Sequence, residues 1–150
     1  MAEEMNIQET RTLDLRAVRT PTPPPPTRAM DGREIALFAA RMADEKKGEN
    51  IIIYDLHGLT DLADYFVIVT ANSKAQVRAI VETISRDLKL RGTHKYGQEG
   101  NENGQWILLD YTDCVIHIFS PALRDYYGLE SLWGDAPRVN WAATELETGS

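Results

Sequence analysis

A chain of 150 residues, 43% hydrophobic and 26% charged, has room for one globular domain that buries its core without staples. No apolar run approaches the roughly 18–20 residues that a membrane helix needs, and a single cysteine, Cys114, excludes an intrachain disulfide or a multi-cysteine metal site. The net charge of −7 is unevenly placed: residues 1–30 balance four basic against four acidic side chains, whereas residues 31–135 hold eleven basic and seventeen acidic.

Residues 1–30 read as a disordered, Pro-rich N-terminal extension. The run Pro21-Thr22-Pro23-Pro24-Pro25-Pro26 lacks most backbone donors and favours an extended polyproline conformation, as a solvated linker or a ligand for a proline-binding partner. Glu3, Glu4 and Glu9, with no apolar stretch beside them, argue against a secretory signal or an organelle transit peptide, so the expected compartment is a bacterial cytoplasm.

The first helix is predicted from Asp31, a capping residue with Glu34 three positions on. Ile35, Phe38, Ala39 and Met42 form its apolar stripe, and Gly48 ends it. Two strands follow, Ile51 to Asp55 and Tyr65 to Thr70, joined by the turn-rich residues 57–64. Their nearly continuous apolar runs suit a sheet covered on both faces. The second helix has the clearest pattern. Ser73 and Gln76 fit a reciprocal capping box, Val77, Ile80, Val81, Ile84 and Leu88 recur at helical spacing, and Gly92 supplies the stop. A further short strand is placed near His94 to Tyr96. Trp106 to Tyr111 and Cys114 to Phe119 then read as a strand pair around a tight Thr112-Asp113 turn. Ser120 before Pro121 opens a short last helix.

The fold class is therefore α/β, a mixed β-sheet with flanking helices in the order α-β-β-α-β-β-α. Residues 31–135 make the folded domain. Residues 136–150 read as a flexible C-terminal tail whose Trp141 either docks or hangs free. Cys114, inside an apolar strand, reads as buried and inert.

Four blocks of this chain resemble the RsfS/Iojap family of ribosomal silencing factors. The first is Asp64, Tyr65, Phe66 to Val69, Ala71-Asn72-Ser73 and Gln76-Val77; the second is Glu99-Gly100 with Trp106 to Asp110. The third is Asp113, Val115-Ile116 and His117; the fourth is Arg124, Tyr127, Leu129, Glu130, Leu132 and Trp133. Together they span nearly the whole folded part. Two positions depart from the pattern: Thr112 stands where a glycine is common, and Cys114 where a branched aliphatic is usual.

The resemblance implies a nucleotidyltransferase-like fold without its catalytic motif. It implies no cofactor, and binding to the large ribosomal subunit through ribosomal protein fourteen (the universal L-fourteen protein). It further implies steric blocking of small-subunit association, lower translation under nutrient limitation, and a homodimer as an alternative state of the free protein. So acidic a domain is a poor general ligand for a phosphate backbone, and no sequence-specific nucleic acid is expected as partner; long-range attraction instead favours a basic protein surface, although the imbalance also serves solubility alone.

On the resemblance, the contact region falls on the Trp106 strand and its turn. Trp106 is then the first anchor, against the alternative of an ordinary core tryptophan, and Tyr111 carries over as its apolar neighbour. Glu99, Asp110 and Asp113 supply charge complementarity to lysines, or else form a solvated loop and turn. His117, alternating with Ile116 and Ile118, reads as a hydrogen-bonded structural histidine, and no metal site is expected. Arg124, Tyr127, Leu129 and Trp133 pin the last helix to the sheet or form a dimer contact.

Catalysis is the chief rival. Asp61, Asp64 and Asp110 could be imagined around magnesium, but the Gly-Ser turn and acid-x-acid pair that nucleotidyltransferases use are missing, as are a phosphate loop and a GxSxG elbow. The second rival is a factor that assists large-subunit maturation through the same contact.

Overall fold

The structure, a computed structural model, describes residues 30–101 and 103–142. Apart from Met30, the Pro-rich arm lies outside them, as does the chain after Ala142.

Helix α1 (Gly32–Glu45) starts where expected. The Asp31 carboxylate accepts from the Glu34 N–H at 2.8 Å and the Glu34 carboxylate accepts from the Asp31 N–H at 2.9 Å, so two helix-start donors are satisfied reciprocally. Strands β1 (Glu49–Asp55) and β2 (Tyr65–Thr70) follow, then α2 (Lys74–Leu90). At α2 the box is only half formed. Ser73 Oγ accepts from the Gln76 N–H, but the Gln76 amide takes the Asn72 N–H at 2.7 Å and donates to the carbonyls of Lys46 and Lys47 at 3.1 and 2.7 Å. Those carbonyls lie just past the end of α1 and have no helical donors, so one side chain stitches the two helices end to end.

Strands β3 (Gly97–Gly100), β4 (Trp106–Asp110) and β5 (Cys114–Phe119) complete one five-stranded sheet in the order β1-β2-β5-β4-β3. β2 and β5 are parallel and the other neighbours antiparallel. The central pair is buried along its whole length, as two continuous apolar runs require. α1 and α2 cover one face over Val67, Val69, Ile116, Ile118 and Leu109. On the other face Phe66, Ile68, Val115 and Phe119 meet Leu123 of α3 (Pro121–Tyr127), Leu129 of α4 (Leu129–Leu132) and Trp133, which caps α4. Gly128, at φ 60°, breaks that last helical stretch in two.

Three expectations need correction. The short strand begins at Gly97, past the His94 to Tyr96 segment. A Cβ on Gly100 would sit 2.7 Å from the Trp106 carbonyl oxygen, so only glycine lets β3 approach β4 so closely. Second, the packed unit runs past Asp135. The Asp55 N–H donates to Pro137 O at 2.8 Å, the Val139 N–H to Ile53 O at 3.0 Å, and the Trp141 indole N–H to Ile51 O at 3.3 Å. Residues 136–141 thus lie along the outer edge of β1 instead of trailing as a tail.

Third, His117 is not hydrogen-bonded: both ring nitrogens are buried without a partner among the described residues. It packs as an aromatic, face to face with Phe119 at 5.6 Å and edge-on to Phe66 at 4.9 Å.

The Thr112-Asp113 turn forms as predicted, with Thr112 at φ 72°. A β-branched residue there is strained, because its Cβ crowds the backbone. Thr112→Gly is expected to stabilise the fold by about 1 kcal/mol, read as a higher urea midpoint at constant slope. An unchanged or lower midpoint would mean that the greater backbone freedom glycine loses on folding cancels the relief of strain.

Candidate functional site

Alternation along β4 sets the site. Trp106, Leu108 and Asp110 point to the face that carries α3 and α4, while Ile107 and Leu109 point to the α1–α2 core. Across the ladder Trp106 faces Phe119, Leu108 faces both His117 and Glu99, and Asp110 faces Val115 and Gly97. Trp106, Leu108 and Asp110 are all half-buried and Glu99 is exposed. The outcome is a partly open apolar sheet face, with carboxylates at one end and on the neighbouring strand.

Trp106 is held from below and from one side. Its ring lies nearly parallel to Phe119 at 6.4 Å, and Tyr127 of α3 stands 6.1 Å away. The indole N–H is buried and finds no acceptor among the described residues. Trp106 is therefore half-buried, neither fully exposed nor an ordinary core tryptophan. It is a rigid platform with one face committed, which limits the rotamer entropy that a contact would cost.

The structure gathers three of the five sequence-derived residues, Trp106, Asp110 and Glu99, on this face. It separates the other two. Tyr111, next to Asp110 but one position out of phase, turns into the α1–α2 core and is only 6% exposed. Burial pushes its phenol above the ordinary range. Its expected place beside Trp106 is corrected by the period-two geometry of the strand. Asp113 is exposed at the sheet end, and its Cβ abuts Gly32 at the start of α1. Its backbone carbonyl accepts from the N–H groups of Asp64 and Tyr65 at 2.9 and 3.0 Å, so it registers β2 against the turn.

Two residues join the face that the sequence reading passed over. Leu108 follows from simple alternation between Trp106 and Asp110. Tyr127 packs α3 on the sheet as read, 5.7 Å from Phe119, and also joins Trp106 and Tyr126 in an aromatic cluster; Tyr126 is 79% exposed. The pin is Arg124. It is 6% exposed, with Nε donating to Glu130 Oε1 and Nη1 to Thr70 Oγ1, both at 2.8 Å. The hydrogen bond from Arg124 holds the Glu130 carboxyl below its usual range.

Of the other titratable groups, His57 sits in the β1–β2 loop with Nδ1 2.6 Å from Asp55 and Nε2 3.5 Å from Asp64. The hydrogen bond to Asp55 raises its pKa, with Asp64 adding to the effect. Burial drives the Cys114 thiol far upward, which makes it inert. Among the described residues no group of three or more His, Cys, Asp or Glu side chains is arranged to hold a metal ion, and no helix is long and apolar enough to cross a membrane.

Comparison with known proteins agrees with this architecture. Residues 29–149 match the family described as "Ribosomal silencing factor during starvation", RsfS. The ribosomal silencing factor RsfS of Bacillus subtilis (strain 168) is 40% identical over 108 residues, covering 72% of this chain and 92% of its own. A crystal structure of a protein from Chromobacterium violaceum superposes with a TM-score of 0.66 at 39% identity, covering 70% of this chain and 88% of that one. A shorter likeness, 34% identity over 73 residues, covers 47% of this chain and 32% of the mouse protein named "Mitochondrial assembly of ribosomal large subunit protein 1". The extent of the family match and these identities establish that the chain belongs to the ribosomal silencing factor family, RsfS.

Proposed function

We propose that this chain acts in a bacterial cytoplasm, without catalysing a reaction, by binding the large ribosomal subunit through the universal L-fourteen protein. Occupying that surface bars the small subunit and lowers translation when nutrients are short. The observation that carries the reading is the half-buried Trp106–Leu108 face, with Asp110 at its end and Glu99 on the adjoining strand. A rigid aromatic in an apolar patch is the usual form of a binding hot spot, and an acidic domain is drawn toward a basic ribosomal protein. Family membership supplies the ribosome as partner class.

The test is sedimentation of the purified protein with isolated large subunits, followed by addition of small subunits. Co-sedimentation with fewer joined ribosomes is expected. Failure to pellet with large subunits would remove the proposal. Binding that leaves joining intact would favour the second reading, assistance in large-subunit maturation, which the name of the mouse relative motivates. In that case a deletion strain would accumulate immature large subunits during fast growth.

A further inference from the structure

A chain of net charge −7 nevertheless contains a basic trough, on the opposite side of the sheet from Trp106. It lies between α2 and the β3–β4 hairpin. Lys74, Arg78 and Lys95 stand around a depression of about 520 Å³ floored by Val77, Val81 and Ile107. Past Lys95 it continues into a second depression of about 640 Å³ beside Lys89 and His94; Glu82, Ser85 and Lys95 border both. Along α2 the rise from Lys74 to Lys89 is about 22 Å, an elongated shape that suits a strand better than a compact ligand.

The cations are organised. Lys95 Nζ donates to Ser85 Oγ at 3.1 Å and to Gln98 Oε1 at 2.7 Å. Both partners are neutral, so among the described residues no carboxylate pairs with its charge, and one of its three donors is left over. The stem of Lys74 lies beside Gly104, at φ 68°, in a loop fixed by the Asn101 side chain, which accepts from the N–H groups of Gln105 and Trp106. Among the described residues no carboxylate lies within ion-pair distance of Lys74, Arg78 or Lys95, whereas the nearby Arg86 is already paired with Asp87. With charges screened beyond roughly 8 Å at physiological salt, this local field outweighs the distant net charge.

Glu82 borders both depressions. Midway along the trough, its carboxylate repels a bare polyphosphate but accepts a hydrogen bond from a hydroxyl. A ribose 2′-hydroxyl is the feature that separates RNA from DNA at such a position. With apolar floor, spaced cations and one acceptor, we propose that the trough binds single-stranded RNA, its phosphates along Lys74, Arg78 and Lys95 and a ribose hydroxyl on Glu82. Recognition is of backbone and sugar, hence indifferent to sequence. The site is independent of the partner proposed for the Trp106 face.

The experiment is fluorescence anisotropy of labelled oligouridylate titrated with the full-length protein across a potassium chloride series. Three phosphate contacts on a single strand predict a log–log salt slope of about −2. Arg78→Met and Lys95→Met should each lower that slope by about 0.7 and weaken binding by roughly tenfold. Glu82→Gln should erode the preference for oligouridylate over oligothymidylate. Trp106→Ala should leave binding unchanged, which separates this site from the ribosomal-protein face. All three trough substitutions are on exposed side chains and are expected to leave the circular dichroism spectrum intact. No binding at low salt, or binding indifferent to both methionine variants, would overturn the proposal. Competition by uridine monophosphate as strong as by the oligomer would also overturn it, and assign the trough to a free nucleotide.

Discussion

Trp106→Ala is expected to weaken binding to isolated large subunits by roughly thirtyfold or more, the loss of at least about 2 kcal/mol that marks a hot spot. The ring is pre-set by Phe119 and Tyr127, so the wild-type protein surrenders little side-chain freedom on contact. Those same contacts complicate the test, because truncating a half-buried indole also costs the fold roughly 1–3 kcal/mol. A second substitution resolves the ambiguity. Leu108→Ser removes apolar area from the same face without disturbing the aromatic cluster, and should weaken binding by several-fold. The readout is the fraction pelleted against protein concentration, with folding checked by near-ultraviolet circular dichroism. If both variants are folded and pellet as the wild type does, the Trp106–Leu108 face is not the contact.

Between pH 7 and pH 4 the protein is expected to lose about 3 kcal/mol of stability to one residue, His117. Burial pushes its pKa from 6.5 down to about 4, and at 7% exposure the ring has no partner among the described residues to stabilise a charge. Within that window the unfolded chain binds the proton and the folded one does not. Stability is therefore complete above pH 6.5 and falls as the pH drops toward 4. His57 works in the opposite sense, since the Asp55 hydrogen bond raises its pKa and favours the fold at low pH. Its ring is exposed and screened, so His117 dominates. Urea denaturation at several pH values should show the slope in the wild type and its loss in His117→Phe, a substitution that keeps an aromatic between Phe66 and Phe119. An unchanged slope in the variant would shift the acid sensitivity to the carboxylates.

The legible parts of this sequence were those where one local rule acts alone. Helical spacing from Val77 to Leu88 had no competing pattern, and the runs Tyr65–Thr70 and Cys114–Phe119 were apolar because both faces are covered. The mixed sheet and the family likewise followed from local blocks. What escaped were decisions made by distant residues. Gln76 satisfies carbonyls some thirty positions away, and Gly97–Gly100 is a strand only because β4 runs alongside it. Trp141 docks on an edge 90 residues distant. Within the site, counting by two from Trp106 yields Leu108 and Asp110 and sets Tyr111 on the far face, so this part could have been read. The lack of a partner for the His117 nitrogens among the described residues could not, because nothing in its own strand reports what lies overhead.

The segment laid along β1 also bears on what the sheet can grow into. A sheet with two bare margins can stack copies without limit, each new chain offering its far side to the next. Here residues 136–141 occupy one margin through the bonds at Asp55, Ile53 and Ile51, so among the described residues only β3 is left open. Pairing through β3 would consume the last vacancy on both partners and halt at two chains. Peeling the C-terminal segment away would restore the second margin and turn a terminating contact into a propagating one. Among the described residues, the six from 136 to 141 thus separate a sheet with one open margin from a sheet with two.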